Sequence, residues 1–148
     1  MKNKEKGGYM NGKKCLLSAI AVVAILFATD FVIHGMILKE SYAATAALWR
    51  PMEEMHGLTW TTYALYAVNG LVLPYLYYKG VEAGKAPLGQ GLRFGLLIGL
   101  MMASGWSLGT YFMVPMPGSL AATWFVAGMI QFALVGLALG AIIKPATA

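Results

Sequence analysis

Apolar residues in this chain gather into four long runs, at 15–38, 57–78, 92–112 and 120–143. Each is near or above the roughly 20 residues an α-helix needs to cross a hydrocarbon layer. The pattern predicts an all-α membrane protein with four transmembrane helices, arranged as two antiparallel hairpins, over about 15–38, 51–78, 92–112 and 120–143. Residues 1–14 are expected to form a basic tail and 15–148 a single transmembrane domain. The first run exceeds the ~7–15-residue core of a signal peptide and lacks a clear small-residue cleavage site, so it is retained as a helix. Composition agrees with this reading, since 59% hydrophobic and 11% charged residues are too apolar a mixture for an ordinary soluble domain.

Between the runs, residues 40–49 read as a short Ala-rich helix, and Pro51 as the first residue of the next helix, where its missing N–H is tolerated. Residues 79–90 and 113–119 read as Gly- and Pro-rich turns. Charge sets the expected orientation. Lys2, Lys4, Lys6, Lys13 and Lys14 precede the first helix, Lys79, Lys85 and Arg93 fall at the second loop, and Lys144 follows the last helix. The first loop instead sets Lys39 and Arg50 against Glu40, Glu53 and Glu54. The positive-inside rule then makes both termini cytoplasmic, in a multi-pass protein of the cell inner membrane. The net charge of +5 is mostly this topology signal, and no basic residues cluster with stacking aromatics as nucleic-acid binding would require. The lone Cys15 can form no internal disulfide.

Glycines recur every fourth residue at Gly91, Gly95 and Gly99, at Gly105 and Gly109, and at Gly136 and Gly140. Small residues at this spacing let helix backbones approach where lipid removes the usual hydrophobic drive. They predict helix packing inside the bundle, with a seam to a second copy or to other membrane subunits as the alternative.

The polar residues sort by depth. Asp30 and His34 lie one turn apart within the first run, where ionisable groups are costly and mark a candidate site. His56, Thr59, Thr62, Tyr66 and Asn69 form a stripe down the second helix at spacings of three and four. Ser104, Ser107 and Tyr111 share the outer half of the third helix, and Gln131 sits at the centre of the fourth. The inner halves are nearly featureless. If these faces converge they line an outward-facing polar pocket of Asp30, His34, His56, Thr59, Tyr66, Asn69, Ser104, Ser107 and Gln131, closed near mid-membrane. That asymmetry favours a binding site over a conduction path. A structural account stands beside it: Asn69, Gln131 and the hydroxyls as interhelical glue, and Asp30 bonding His34 to fix its tautomer.

Three ligand chemistries compete with that account. His34, His56, Met52 and Met55, with Met36, Met113 and Met116 at similar depth, offer the imidazole and thioether ligands that suit copper in its Cu(I) state. His34 and His56 alone could be the axial pair of a haem b. Asp30, His34, Tyr66 and Trp106 could hold a quinone or a lipid head group. A Ser104–His34–Asp30 hydrolase is excluded, since Asp and His share one helix face with no nucleophile turn or oxyanion donors.

The stretches DFVIHG (Asp30–Gly35) and LWRPMEEM (Leu48–Met55) resemble those of small bacterial four-helix inner-membrane proteins. The resemblance implies the fold and the membrane but no activity. The sequence therefore leads to the expectation of a non-enzymatic accessory or assembly subunit of a larger membrane complex. The alternative is a metal-, haem- or quinone-binding protein acting at the extracytoplasmic surface.

Overall fold

A computed structural model describes residues 11–144. The expected basic tail lies largely outside the described residues, and only its last residues are seen. Asn11 caps helix α1 (Gly12–Asp30), its side chain accepting a hydrogen bond from the Lys14 N–H at 2.8 Å. The chain continues without a break into a π-helical segment, Phe31–Ile37, in which the Leu38 N–H reaches the Ile33 carbonyl at 2.9 Å. Next come α2 (Lys39–Ala44), a 3-10 turn (Ala46–Leu48), α3 (Met52–Gly57), α4 (Thr59–Gly80), α5 (Pro87–Met113) and α6 (Gly118–Ile142). No strand occurs among the described residues.

Three segments are long and apolar enough to cross a membrane: Gly12–Ile37, Pro87–Met113 and Gly118–Ile142. The chain is thus a membrane protein. Helix α4 has 22 residues but a less apolar sequence, because threonines, tyrosines and Asn69 interrupt it. The second helix expected from residue 51 is divided instead. Gly57, a poor helix former, ends α3, and Leu58 leaves helical geometry at φ −99° and ψ 2° before α4 begins. Helix α5 in turn starts earlier than the expected residue 92, with Pro87 in the first turn where proline is tolerated. The connecting loop is consequently short.

Gln90 explains that shortness. Its side chain accepts from the Glu82 N–H at 2.7 Å and donates to the carbonyls of Glu82 at 3.1 Å and Lys85 at 3.2 Å, holding the loop against the start of α5. Lys85 and Arg93 approach Glu82 at 2.5 and 2.8 Å, and these two cations hold its carboxyl below the usual range.

Helix α6 is central, with α5 along one side and α1 along another, while α4 packs on α1. The α5–α6 seam is set by glycine. A Cβ on Gly95 would stand 3.0 Å from the Gly136 Cα and run into the Phe132 carbonyl, and one on Gly140 would run into the Pro87 carbonyl. Gly99 faces Phe132 and Met129 in the same seam. Gly105 and Gly109 do not belong to it. A Cβ at either meets nothing within 4 Å, because α6 no longer lies beneath that face of α5.

Two apolar clusters close the assembly. Val22, Leu26, Tyr66, Leu73, Val135 and Leu139 fill the middle and the 81–86 end. At the opposite end, Leu38, Met116, Leu120 and Trp124 are covered by Tyr42, Leu48 and Trp49, so the first loop folds over the top of α6.

Candidate functional site

Asp30 ends α1 at the point where the helix widens into the π segment. Its carboxylate is held by two neutral donors from two other helices. The Tyr66 hydroxyl of α4 donates to Oδ2 at 2.7 Å, and the Gln131 amide of α6 donates to Oδ1 at 2.7 Å. The amide's orientation follows from its neighbour. Thr29 donates its only hydroxyl proton to the Ile25 carbonyl at 2.6 Å, so the Thr29 oxygen accepts, and it is the Gln131 nitrogen that must face it at 2.6 Å. Three helices are thereby tied together at one carboxylate.

His34 is not Asp30's hydrogen-bond partner, although the two are four residues apart. Its Nδ1 instead meets the Tyr42 hydroxyl at 2.6 Å, and that hydroxyl accepts from the Trp124 indole N–H at 2.8 Å. A single direction of donation satisfies all three groups: Trp124 to Tyr42, and Tyr42 to His34 Nδ1, leaving a neutral imidazole with its proton on Nε2. Burial pushes the Tyr42 phenol up to about 12, against a smaller lowering from the Trp124 bond. The rings reinforce the chain. Tyr42 stacks on His34 with centroids 5.9 Å apart, Trp49 stands edge-on to Tyr42 at 5.7 Å, and Trp106 stacks on Trp124 at 5.8 Å.

Asp30, His34, Tyr66, Gln131, Trp106 and Trp124 line a cavity of about 540 Å³. α4 and α5 touch at the 81–86 end, where Tyr77 packs on Phe94 and donates to the Pro87 carbonyl at 3.2 Å, and beyond that contact the cavity lies between them, with α1 and α6 as its floor. Of the residues expected to form a pocket, Asp30, His34, Tyr66, Asn69 and Gln131 line it, as do Thr62 and Trp106. The four groups expected to hold a quinone or lipid head group are all among them. The remaining expectations are corrected by position. His56 and Thr59 sit around the break between α3 and α4, outside the cavity, where the Thr59 hydroxyl bonds the His56 carbonyl at 2.9 Å. Ser104 turns back onto the Met101 carbonyl. Ser107 is buried in the α5–α6 seam, donating to the Ala121 carbonyl at 2.6 Å.

The metal and haem expectations lose their geometry for the same reason. Met52 and Met55 are exposed on α3, and His56 does not line the cavity that His34 lines, so the paired histidines do not face one space. Among the described residues no group of three or more His, Cys, Asp or Glu side chains is gathered to hold a metal ion. Thr29, Tyr42 and Trp124, by contrast, were not singled out as site residues. Aromatic residues are common at membrane interfaces, so the residue types of Tyr42 and Trp124 alone mark no site, and nothing local marks Thr29 beyond its place beside Asp30.

The arrangement offers a ligand an anion and several aromatic faces within a mostly apolar wall. Comparison with models of protein families, with curated proteins and with solved structures finds no match to this chain.

Proposed function

We propose that this chain is a multi-pass protein of the cell inner membrane in which all four long helices cross, with both termini cytoplasmic, and that it works by binding a small molecule rather than by catalysis. The observation that supports this reading is Asp30. A carboxylate kept inside a membrane helix is costly, and here neutral donors from two other helices hold it at the wall of a cavity large enough for a small organic ligand. The excess of Lys and Arg at the tail and at 79–93 supports an orientation in which the cavity faces outward.

Cysteine labelling tests both parts. With Cys15→Ser as background, Thr62→Cys is expected to react with a membrane-impermeant thiol reagent in intact cells, and Lys85→Cys only after permeabilisation. The opposite pattern would sink the orientation, and an unreactive Thr62→Cys from either side would sink an accessible cavity.

A second reading, an accessory subunit of a larger membrane complex, is favoured by one feature. Gly105 and Gly109 form an unpartnered small-residue step on α5 beside the exposed Trp106, Leu108 and Phe112. Such a step suits a helix of another subunit. Cross-linking from Gly109→Cys to a second protein or to a second copy, lost in Gly105→Leu, is the expected result on that reading.

A further inference from the structure

The cavity's polar atoms are unequal in kind. Each Asp30 oxygen receives one neutral donor and keeps further lone pairs. Asn69 turns its amide nitrogen back onto the Leu65 carbonyl at 2.9 Å, which leaves its oxygen as the group not committed to its own helix. The Gln131 nitrogen is spent on Thr29 and Asp30. What the wall has to spare includes the Asp30 and Asn69 oxygens as acceptors, and its spare donors, the His34 Nε2–H and the Trp106 indole N–H among them, are all neutral.

Charge points the same way. The lining contains one carboxylate and no Lys or Arg, and the Trp124–Tyr42–His34 chain is satisfied with a neutral imidazole. Asp30 thus has no cation of its own. Trp106 and Trp124, stacked with an interplanar angle of 28°, add aromatic faces to this space, and tryptophan faces attract cations more strongly than any other side-chain ring. A hard inorganic cation is poorly served, because it needs several oxygen ligands and Asp30 is the lining's only carboxylate. A diffuse, weakly hydrated charge on an apolar body suits the rest of the wall, where Leu26, Leu65, Met102 and Phe132 take part.

We infer, building on the binding role proposed above, that the cavity between α4 and α5 takes a monovalent organic ammonium ion whose charge sits between the Asp30 carboxylate and the Trp106–Trp124 faces. No proton or electron transfer is involved. The cation replaces water at Asp30 and leaves unchanged.

The test compares three probes of similar size on the full chain in lipid nanodiscs, followed by titration calorimetry and tryptophan fluorescence. Phenyltrimethylammonium carries a permanent charge, tert-butylbenzene is its neutral isostere, and a short-chain benzoquinone carries only acceptors. Phenyltrimethylammonium is expected to bind saturably and at least tenfold more tightly than tert-butylbenzene. Asp30→Asn is expected to erase that preference, and Trp106→Leu to weaken the cation several-fold without changing the isostere. Trp106 is 65% exposed, so the second variant tests the site even if the first fails to fold. Equal affinity for cation and isostere in the parent, or an unchanged preference in a folded Asp30→Asn, overturns the ammonium assignment. If the isostere or the quinone then binds, the cavity remains a binding site for a neutral ligand. Binding of none of the three removes both the assignment and the binding role.

Discussion

Replacing Gly136 by alanine places one methyl group in the tightest part of the α5–α6 seam. The new Cβ would run into the Gly91 carbonyl and lie 2.7 Å from both Cα and N of Gly95. These are backbone atoms, which cannot swing aside as the end of a side chain can. Restoring ordinary contact of 3.4–4 Å requires the two helices to part locally by about 1 Å, a gap that forfeits a quarter to a half of each dispersion well of about 0.1–0.2 kcal/mol. Over the few tens of atom pairs in a helix seam the loss is about 1–3 kcal/mol, the usual range for overpacking. Alanine's better helix propensity, about 0.8–1 kcal/mol over glycine in water, offsets little of this, because a membrane helix remains helical after its partner has left. Unfolding in mixed micelles of increasing sodium dodecyl sulfate, followed by circular dichroism and tryptophan fluorescence, measures the difference. Gly105→Ala is the internal control, expected within about 0.5 kcal/mol of the parent since its Cβ meets nothing within 4 Å. Equal stability of Gly136→Ala and the parent, or an equal loss in Gly105→Ala, would refute the seam.

Two further perturbations probe the loops. The Tyr42 phenol, raised by burial to about 12, contributes stability that is fully present below its ordinary value near 10 and is lost as pH rises through the folded value. The parent should therefore lose stability against Tyr42→Phe between these values, and parallel pH profiles would show that the phenol is not sequestered. Gln90→Ala removes three hydrogen bonds to the 81–86 loop and should cost about 1–3 kcal/mol while speeding proteolysis there. An unchanged cleavage rate would mean that the ion pairs of Glu82 hold the loop alone.

The long helices were legible because lipid imposes a length and a polarity that any sequence must display. Residues 120–143 were expected to form the last helix, and α6 occupies Gly118–Ile142. The break at Leu58 was not legible, since a single Gly57 within an otherwise helical pattern is a weak stop signal. Asp30, Tyr66 and Gln131 share a face-to-centre placement that polar depth alone revealed, and they meet at one carboxylate. Depth says nothing, however, about rotation around the helix axis. That is why Ser104 and Ser107, at similar depth, turned out to serve α5 itself and its seam with α6. The shift of His34 from Asp30 to Tyr42 was hidden for a related reason: a spacing of four residues implies a shared face only in an α-helix, and the pair straddles the start of a π segment.

That segment also sets a rule about length. Up to Asp30, the first helix is in phase with α4 and α6, on which Val22 and Leu26 are seated. From Leu38 onward the chain is in phase with the cap, where Leu38 and Tyr42 meet Met116 and Trp124. The wide turn between them supplies the angular offset that lets one continuous helix serve both partners. Phe31, Val32, Met36 and Ile37 are all exposed, so at these four positions the number of residues matters more to the offset than their identity, while Ile33 and His34 of the same segment line the cavity. Conservative apolar exchanges at those four exposed positions are expected to leave the site aligned, whereas deletion of a single residue is expected to return the turn to α geometry and carry Tyr42 away from His34. In this stretch the chain encodes information by counting.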